Sequence, residues 1–313
     1  MSEMNRTLAF VFPGQGSQSV GMIADLLDNE IVKETLCEAD EALGFGLSDL
    51  IIDGDAEALG RTEITQPAIL TVSIALWRVW CAQNGTQPAY LAGHSLGEYS
   101  ALVAAGVLAF KDAVKLVHNR GLYMQEAVPA GTGAMAAILG LEDAAVVTLC
   151  DDSKDAGIVA AVNFNSQGQV VIAGEKAAVE AACALAKERG AKRALLLPVS
   201  VPSHCILMKP AADRLATELD GMLLSTPNQV VIHNVDVKAH TDVEEIKEAL
   251  VSQLYEPVRW TESVELLARE GVTTVVECGP GKVLTGLIRR IDKSLTTYNV
   301  LDGATLETVI AEI

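Results

Sequence analysis

The sequence is short of aromatic residues and of positive charge. Aromatic residues make up 4% of the 313 positions, so the core must be built mainly from Ala, Val, Leu and Ile. Lys and Arg number 23 against 41 Asp and Glu, which gives a net charge of −18. This charge argues against nucleic acid as a partner, because a phosphate backbone would be repelled. An anionic partner would have to meet a local basic patch.

Disulfide, leader and membrane-spanning patterns are also missing. The six cysteines are scattered with no Cys-x-x-Cys spacing, which in a chain of this length is typical of reduced thiols in a cytoplasmic protein. Residues 1–7 carry Glu3 and Arg6 and lack the apolar run of a signal peptide. No uninterrupted apolar stretch approaches the roughly 20 residues that span a bilayer. We expect a soluble, cytoplasmic protein.

One stretch organises the rest of the sequence: an apolar run that ends in Gly93-His94-Ser95-Leu96-Gly97 and leads directly into a helix-compatible segment. Strand, serine and helix in this order are the context of a nucleophile elbow. The turn is so tight that a Cβ at Gly93 or Gly97 would collide with the strand or the helix. The helix N-terminus offers unpaired N–H groups beside the hydroxyl of Ser95, which favours an oxyanion there. The bare pattern also occurs by chance, so its context carries the prediction.

A glycine-rich loop, residues 13–18, follows the first predicted strand at residues 8–12. It matches neither the dinucleotide pattern Gly-x-Gly-x-x-Gly nor a Walker loop, since its next glycine comes late and no Gly-Lys-Ser/Thr is present. We therefore expect no nucleotide cofactor, and no metal either. The loop is either a plain strand-to-helix turn or a segment whose backbone N–H groups, Gln15 among them, face Ser95.

Strands alternate with helices along the chain, which predicts an α/β protein whose core is a parallel sheet with helices on both faces. Between residues 134 and 198 the order becomes β-α-β-β-α-β, the ferredoxin-like unit, inserted as a small second domain. The predicted division is a hydrolase-like domain of residues 1–128 and 199–313 and a ferredoxin-like domain of residues 129–198. Helices are predicted at residues 31–43 and 69–80, with polar loops between them. The cleft between the domains is a natural ligand site.

A serine at neutral pH needs a base, and the sequence has five histidines. His94 is adjacent to Ser95, and neighbouring side chains on a turn diverge. His204 follows a predicted strand end and a proline, where the catalytic residues of open α/β sheets collect, so it is the best candidate by elimination. The alternative for His204 is a helix-capping loop residue. No Asp or Glu stands out as a third triad member, which weakens an ordinary esterase interpretation.

The remaining histidines fit other places: His118 lies mid-helix, His233 in a strand and His240 in a polar loop. Arg120 lies on a predicted amphipathic helix, residues 111–128, soon after the elbow helix. It is either a solvated surface charge or part of the site, and the residues alone do not decide between the two.

Several separate motifs resemble one family. They are Phe12-Pro13-Gly14-Gln15-Gly16-Ser17-Gln18, Gly93-His94-Ser95-Leu96-Gly97-Glu98-Tyr99, Asn163-Phe164-Asn165-Ser166, Pro202-Ser203-His204 and Gly279-Pro280-Gly281-Lys282. In this order, and over essentially the whole length, they resemble the malonyl-CoA:acyl carrier protein transacylases of bacterial (type II) fatty acid synthesis. The resemblance implies the same two-domain fold, and a monomer.

The resemblance also implies roles for individual residues. Ser95 becomes the nucleophile and His204 the base. The backbone N–H groups of Gln15 and Leu96 become the oxyanion hole. Arg120, in a helical Arg-Gly segment, would hold the malonyl carboxylate. Gln253, in Gln-Leu-Tyr-x-Pro-Val, would fix His204 through its backbone carbonyl in place of a triad acid, and Asn165 would contact substrate.

The implied partners are malonyl-CoA and acyl carrier protein, with transfer through a malonyl-serine. Both partners are anionic, and Lys192, Arg193, Arg289 and Arg290 are either their docking patch or solvated surface charge. Two alternative functions stay open at this stage. One is a serine esterase or thioesterase, and the other is a non-catalytic module that binds a carrier protein.

Overall fold

The structure, a computed structural model, describes residues 4–199 and 201–313. The expectation of no leader falls partly on residues 1–3, which lie outside the described residues. The strands are β1 (Asn5–Phe12), β2 (Pro88–Gly93), β3 (Gly133–Leu139), β4 (Val159–Ser166), β5 (Gln169–Glu175), β6 (Arg193–Leu196), β7 (Val230–Ile232), β8 (Thr274–Cys278) and β9 (Thr296–Val300).

The helices in the first half of the chain are α1 (Glu30–Leu43), α2 (Leu47–Asp53), α3 (Ala56–Leu59), α4 (Thr62–Ala82), α5 (Leu96–Ala104), α6 (Phe110–Glu126) and α7 (Asp143–Asp152). Those in the second half are α8 (Lys176–Glu188), α9 (Lys209–Asp220), α10 (Val243–Gln253), α11 (Trp260–Arg269), α12 (Val283–Ile291) and α13 (Gly303–Glu312).

The first sheet is parallel throughout and has the order β7-β2-β1-β8-β9. Its central strand β1 is apolar at every position from Leu8 to Phe12 and is fully buried there, as expected for a parallel strand covered on both faces. The carboxyl ends of β1 and β2 lie side by side, since Phe12 pairs with Gly93. This register brings the glycine-rich loop and the elbow to one edge of the sheet.

The second sheet is antiparallel and has the order β4-β5-β3-β6. With α7 and α8 it forms the β-α-β-β-α-β arrangement predicted from the sequence, and it has an apolar core of its own. The predicted fold class is confirmed. The four strands lie inside residues 129–198, and the division of the chain into domains at those boundaries stays a prediction.

Residues 44–68 differ from the expectation of polar loops. They hold α2, α3 and the first turns of α4, which begins at Thr62, before Pro67. A proline inside a helix removes the bond to the carbonyl four residues earlier. Here that carbonyl belongs to Glu63, and it accepts a hydrogen bond from His118 Nδ1 at 2.7 Å instead. The helix therefore continues through Pro67 because a distant histidine satisfies the freed acceptor.

Helix α4 is the one helix of the described residues that is long and apolar enough to cross a membrane by length and composition. Its most apolar window is 89% buried inside the protein, where it packs against α1, α5 and α6. Such burial is the ordinary property of a core helix.

The antiparallel sheet is bonded through its backbone to the segment between α10 and α11. Val258 N donates to Val162 O at 2.8 Å, and Phe164 N donates to Val258 O at 3.0 Å. The segment after α10 thus continues alongside the edge strand β4. This contact ties the antiparallel sheet to the segment that follows Gln253.

Candidate active site

Ser95 lies between the end of β2 and the start of α5, with φ 52° and ψ −107°. A Cβ at Gly93 would lie 1.9 Å from the carbonyl carbon of Gly97, and one at Gly97 would lie 1.9 Å from Phe12 O. Only glycine fits at either position. Backbone this strained persists when the surroundings over-determine it.

The side chains of Ser95 and His204 meet although 109 residues separate them, with 2.8 Å between Ser95 Oγ and His204 Nε2. The other ring nitrogen, Nδ1, lies 2.6 Å from the backbone carbonyl oxygen of Gln253. A carbonyl only accepts hydrogen bonds, so Nδ1 carries the proton and Nε2 presents its lone pair to the hydroxyl. A backbone carbonyl stands where a triad acid would, which explains why no acidic residue stood out in the sequence.

The other four histidines are engaged elsewhere. His94 Nε2 lies 2.8 Å from Asn165 Oδ1, and His118 bonds to a backbone carbonyl of α4. His233 lies just past the end of β7 and is paired with Glu98. His240 was predicted in a polar loop; its side chain is 14% exposed and contacts Asp236 and Glu245.

Burial, and after it the positive charge of Arg120, lowers the pKa of His204 from 6.5 to about 3. The hydrogen bond to the Gln253 carbonyl opposes this shift, since it favours the protonated ring. A lowered pKa leaves the imidazole neutral, and so able to accept a proton, throughout the neutral range.

Gln15 and Leu96 line the same cleft as Ser95. The backbone N–H group of each donates no hydrogen bond to another of the described residues. Leu96 is the first residue of α5, where helix N–H groups have no partner within the helix. The glycine-rich loop comes close to the elbow, since a Cβ on Gly14 would lie 2.4 Å from His94 O.

Arg120 is buried, with 1% of its surface exposed, and it makes no salt bridge with any of the described residues. Its NH1 donates to Gln66 Oε1 at 2.6 Å, and its NH2 donates to Gln253 Oε1 at 3.0 Å and to Ser95 Oγ at 3.3 Å. Its Nε has no hydrogen-bond partner within residues 4–199 and 201–313. A cation held by neutral acceptors beside a hydroxyl is suited to receive an anionic group from a ligand.

The cleft has a volume of about 280 Å³ and lies between the two sheets. Apolar side chains from both sides, Met124, Met135, Val171, Leu197 and Leu287, form much of its lining. Asn165, at the end of β4, also lines it. No three His, Cys, Asp or Glu side chains of the described residues cluster in a way that could hold a metal ion.

The four basic residues of the predicted patch are all exposed: Lys192, Arg193, Arg289 and Arg290. Arg193 begins β6 and pairs with Leu139 of β3, which pairs in turn with Gln169 of β5. Arg290 NH1 donates to Gln169 Oε1 at 2.8 Å, and Gln169 lines the cleft. The two basic segments therefore lie near one another at one end of the antiparallel sheet, beside the cleft.

The sequence reading missed Gln66, Glu98 and Asn234, although all three are buried against the elbow or the arginine. Glu98 was quoted within a motif and given no role. The available signal was a carboxylate three residues after the serine, in a segment otherwise fit to be buried. Gln66 and Asn234 carry no comparable signal, because their contacts depend on distant parts of the chain.

The fold and the cleft are those of an acyltransferase, and the Acyl transferase domain family matches residues 9–309. The malonyl CoA-acyl carrier protein transacylase of Salmonella typhimurium is 59% identical over 305 residues, which cover 97% of this chain and 99% of that protein. The transacylase of the same name from Bacillus subtilis is 50% identical over 305 residues and covers 97% and 96%. The chain belongs to the malonyl CoA-acyl carrier protein transacylase family of acyltransferases.

Solved structures agree with this assignment. An acyl carrier protein S-malonyltransferase from Vibrio cholerae superposes with a TM-score of 0.95 at 59% identity and covers 97% of this chain and 99% of its own. A malonyl-transacylase solved in complex with a type II polyketide synthase acyl-carrier protein has a TM-score of 0.96 at 53% identity, covering 98% and 99%. The resemblance noted from the motifs is confirmed.

We predict that Ser95 stays reactive when the pH is lowered from about 8 to about 5.5, where an ordinary histidine would be about 90% protonated. The reason is the burial of His204, which keeps its ring neutral over this interval. The measurement is the second-order rate of labelling by a fluorophosphonate serine probe on folded protein. His204→Ala is the control and should label slowly at every pH. A rate that halves near the ordinary histidine pKa would contradict the prediction.

Proposed function

We propose that the protein transfers the malonyl group of malonyl-CoA to the phosphopantetheine thiol of acyl carrier protein through a malonyl-serine at Ser95, and so supplies fatty acid synthesis. The observation that carries the choice of substrate is the guanidinium of Arg120. It is buried, it has no carboxylate partner among the described residues, and its NH2 lies 3.3 Å from Ser95 Oγ. A dicarboxylic acyl group supplies the missing anion at this distance.

The first half-reaction forms the acyl-enzyme. His204 Nε2 takes the proton of Ser95 as Oγ attacks the thioester carbonyl. The resulting oxyanion is held by the N–H groups of Gln15 and Leu96, and removal of one such donor typically costs about 10²–10³ in rate. Collapse of the intermediate breaks the carbon–sulfur bond, and His204 returns the proton to the sulfur of CoA.

The second half-reaction repeats these steps in reverse with a new thiol. His204 takes the proton of the phosphopantetheine thiol, the sulfur attacks the malonyl ester, and Ser95 recovers its proton. CoA leaves before the carrier protein binds, which is a ping-pong order. The Gln253 carbonyl keeps Nδ1 of His204 protonated in both halves, so that Nε2 always faces the reacting oxygen.

Arg120 gives the malonyl group its preference over groups without a carboxylate. A planar guanidinium matches a carboxylate with two parallel hydrogen bonds, which the ammonium group of lysine cannot do. The same pairing orients the acyl-serine and favours transfer to a thiol over hydrolysis by water. Asn165, which lines the cleft and contacts His94, is a further substrate contact in this proposal.

Lys192, Arg193, Arg289 and Arg290 form the docking patch of the proposal. The chain carries a charge of −18 and its partners are anionic, so a local positive surface is needed beside the cleft. The hydrogen bond between Arg290 and Gln169 supports this position. A monomeric state and a cytoplasmic location complete the proposal; the six unpaired cysteines support a reducing compartment.

The acyl-enzyme is tested by intact mass spectrometry after brief exposure to malonyl-CoA. We expect a mass increase of one malonyl group on the parent chain and none on Ser95→Ala, followed by loss of the group when the carrier thiol is added. An adduct that decays to free malonate without a thiol acceptor would indicate a hydrolase instead. No adduct on the parent would indicate a module that only binds the carrier protein.

Arg120→Ala should shift the preference from malonyl toward acetyl thioesters by about 10²-fold, because charge-assisted hydrogen bonds contribute roughly 1.5–3 kcal/mol each. The measurement is the ratio of the acylation rates with malonyl-CoA and acetyl-CoA. Arg120→Lys is the matched control. This variant keeps the charge without the planar fork, so its rate ratio should fall between that of the parent and that of Arg120→Ala. An unchanged ratio in Arg120→Ala would show that this residue does not determine the preference for malonyl groups.

Charge reversal in the patch, Arg193→Glu with Arg290→Glu, should slow transfer to acyl carrier protein by about tenfold at low salt, because steering of an anionic partner is lost. Transfer to free pantetheine, a neutral thiol, should be unaffected. Lys33→Glu on α1 reverses an exposed charge elsewhere and serves as the control. If neither the charge reversal nor added salt changes the rate of transfer to acyl carrier protein, this surface is not the docking patch.

A further inference from the structure

The backbone of Ser95 is held on both sides by side-chain amides. Ser95 N donates to Asn234 Oδ1 at 2.8 Å, and Ser95 O accepts from Gln253 Nε2 at 3.0 Å. Asn234 Nδ2 also donates to Gly93 O at 2.7 Å, so that one amide spans the turn from Gly93 to Ser95. No peptide group of a neighbouring strand does this, because β7 ends at Ile232.

Both residues are bonded to the carboxylate of Glu98, Asn234 through its backbone N–H and Gln253 through its side-chain amide. Glu98 Oε2 accepts from Asn234 N at 2.9 Å and from Gln253 Nε2 at 2.8 Å. Its Oε1 lies 2.7 Å from His233 Nδ1. All four side chains are completely buried. Glu98 is therefore a fully engaged buried acid behind the elbow, for which the proposed chemistry has no use.

The carboxylate is one of three groups that set the orientation of the Gln253 amide. Nε2 lies between two acceptors, Glu98 Oε2 and Ser95 O, so Oε1 must face the guanidinium of Arg120. A reversed amide would aim its NH2 group at a cation and its oxygen at two acceptors. Loss of the acceptor at Glu98 would leave Nε2 with Ser95 O as its one close acceptor among these contacts, and so would loosen the amide.

We propose that Glu98 is a positioning residue, which keeps Ser95 in its strained conformation by holding the backbone of Asn234 and the side-chain amide of Gln253 in place. A backbone conformation such as φ 52° and ψ −107° costs of order 1–3 kcal/mol and relaxes when its restraints are removed. Relaxation would move Ser95 Oγ away from His204 Nε2. A displacement of about 1 Å at a reacting atom costs about 10² in rate.

The test compares two substitutions of similar size. Glu98→Gln keeps an acceptor for Asn234 N and for Gln253 Nε2, and its NH2 group can donate to His233 in the other tautomer of that ring. Glu98→Met keeps the volume and removes the acceptor. Glu38→Met, which breaks the ion pair with Arg78 between α1 and α4, is the control for the loss of a carboxylate outside the cleft lining.

The first readout is the rate of fluorophosphonate labelling per folded molecule, which needs no acyl substrate. We expect Glu98→Met to slow labelling by about 10²-fold, with Glu98→Gln within a few-fold of the parent and Glu38→Met unchanged. The second readout is the split between kcat and KM in malonyl transfer, where kcat should fall with KM nearly constant. If Glu98→Met yields no folded protein, Asn234→Ser carries the same expectation for both readouts.

Labelling of Glu98→Met at the parent rate would overturn the proposal, and so would equal slowing by the methionine and glutamine substitutions. The second readout rests on the proposed function, and the first does not. A parent chain that reacts with the probe but takes no malonyl group from malonyl-CoA would refute the proposed function and leave the result for Glu98 standing.

Discussion

The site depends on one constraint, the strained backbone at Ser95. The serine is the junction between β2 and α5, and its φ and ψ lie outside the regions that L-residues ordinarily adopt. Gly93 and Gly97 permit the turn because a Cβ at either would overlap neighbouring backbone. The two glycines allow this backbone conformation but do not impose it. Asn234 and Gln253 hold it, because their side chains bond the N–H and C=O of Ser95. The hydroxyl of Ser95 remains in contact with His204.

The electrostatics of the site follow from the same arrangement. Arg120 is a buried cation whose acceptors are the neutral oxygens of Gln66 and Gln253. A carboxylate in either place would neutralise the guanidinium and compete with an anionic ligand. The carboxylate of Glu98 does not contact Arg120 directly. The amide of Gln253 lies between them, with Nε2 bonded to Glu98 and Oε1 bonded to Arg120. The cation is thus restrained without being paired, and its charge remains available to the cleft.

The second sheet supplies part of the wall of the cleft. Its strand β4 is bonded to Val258, a few residues beyond Gln253, so the base, its carbonyl partner and the cleft wall are tied to one segment. A second wall comes from α12, and N–H groups of its first turn, those of Leu284 and Thr285, donate to the buried carboxylate of Glu277. Both walls are fixed by hydrogen bonds to backbone, which suits a site that must present the same geometry to two successive thiols.

The amino-acid sequence by itself determined the local features. Alternating strands and helices predicted the parallel sheet, the β-α-β-β-α-β order predicted the second sheet, and strand, Gly-x-Ser-x-Gly and helix predicted the elbow with its two glycines. Each of these is encoded in local periodicity or in turn chemistry, which short stretches of the chain display one after another. His204 followed only by elimination, and the roles of Arg120 and Gln253 required a family resemblance.

The tertiary structure decided everything that depends on distant contacts. Helix α4 continues through Pro67, and the carbonyl of Glu63 that the proline frees is satisfied by His118, 55 residues further along the chain. Arg120 is a buried cation and not a surface charge, and Glu98 is a buried acceptor and not a solvated helix residue. Hydrogen bonds between residues more than 100 positions apart have no local pattern in the chain. Their partners are chosen by the packing of the whole fold, which is why only the folded structure reveals them.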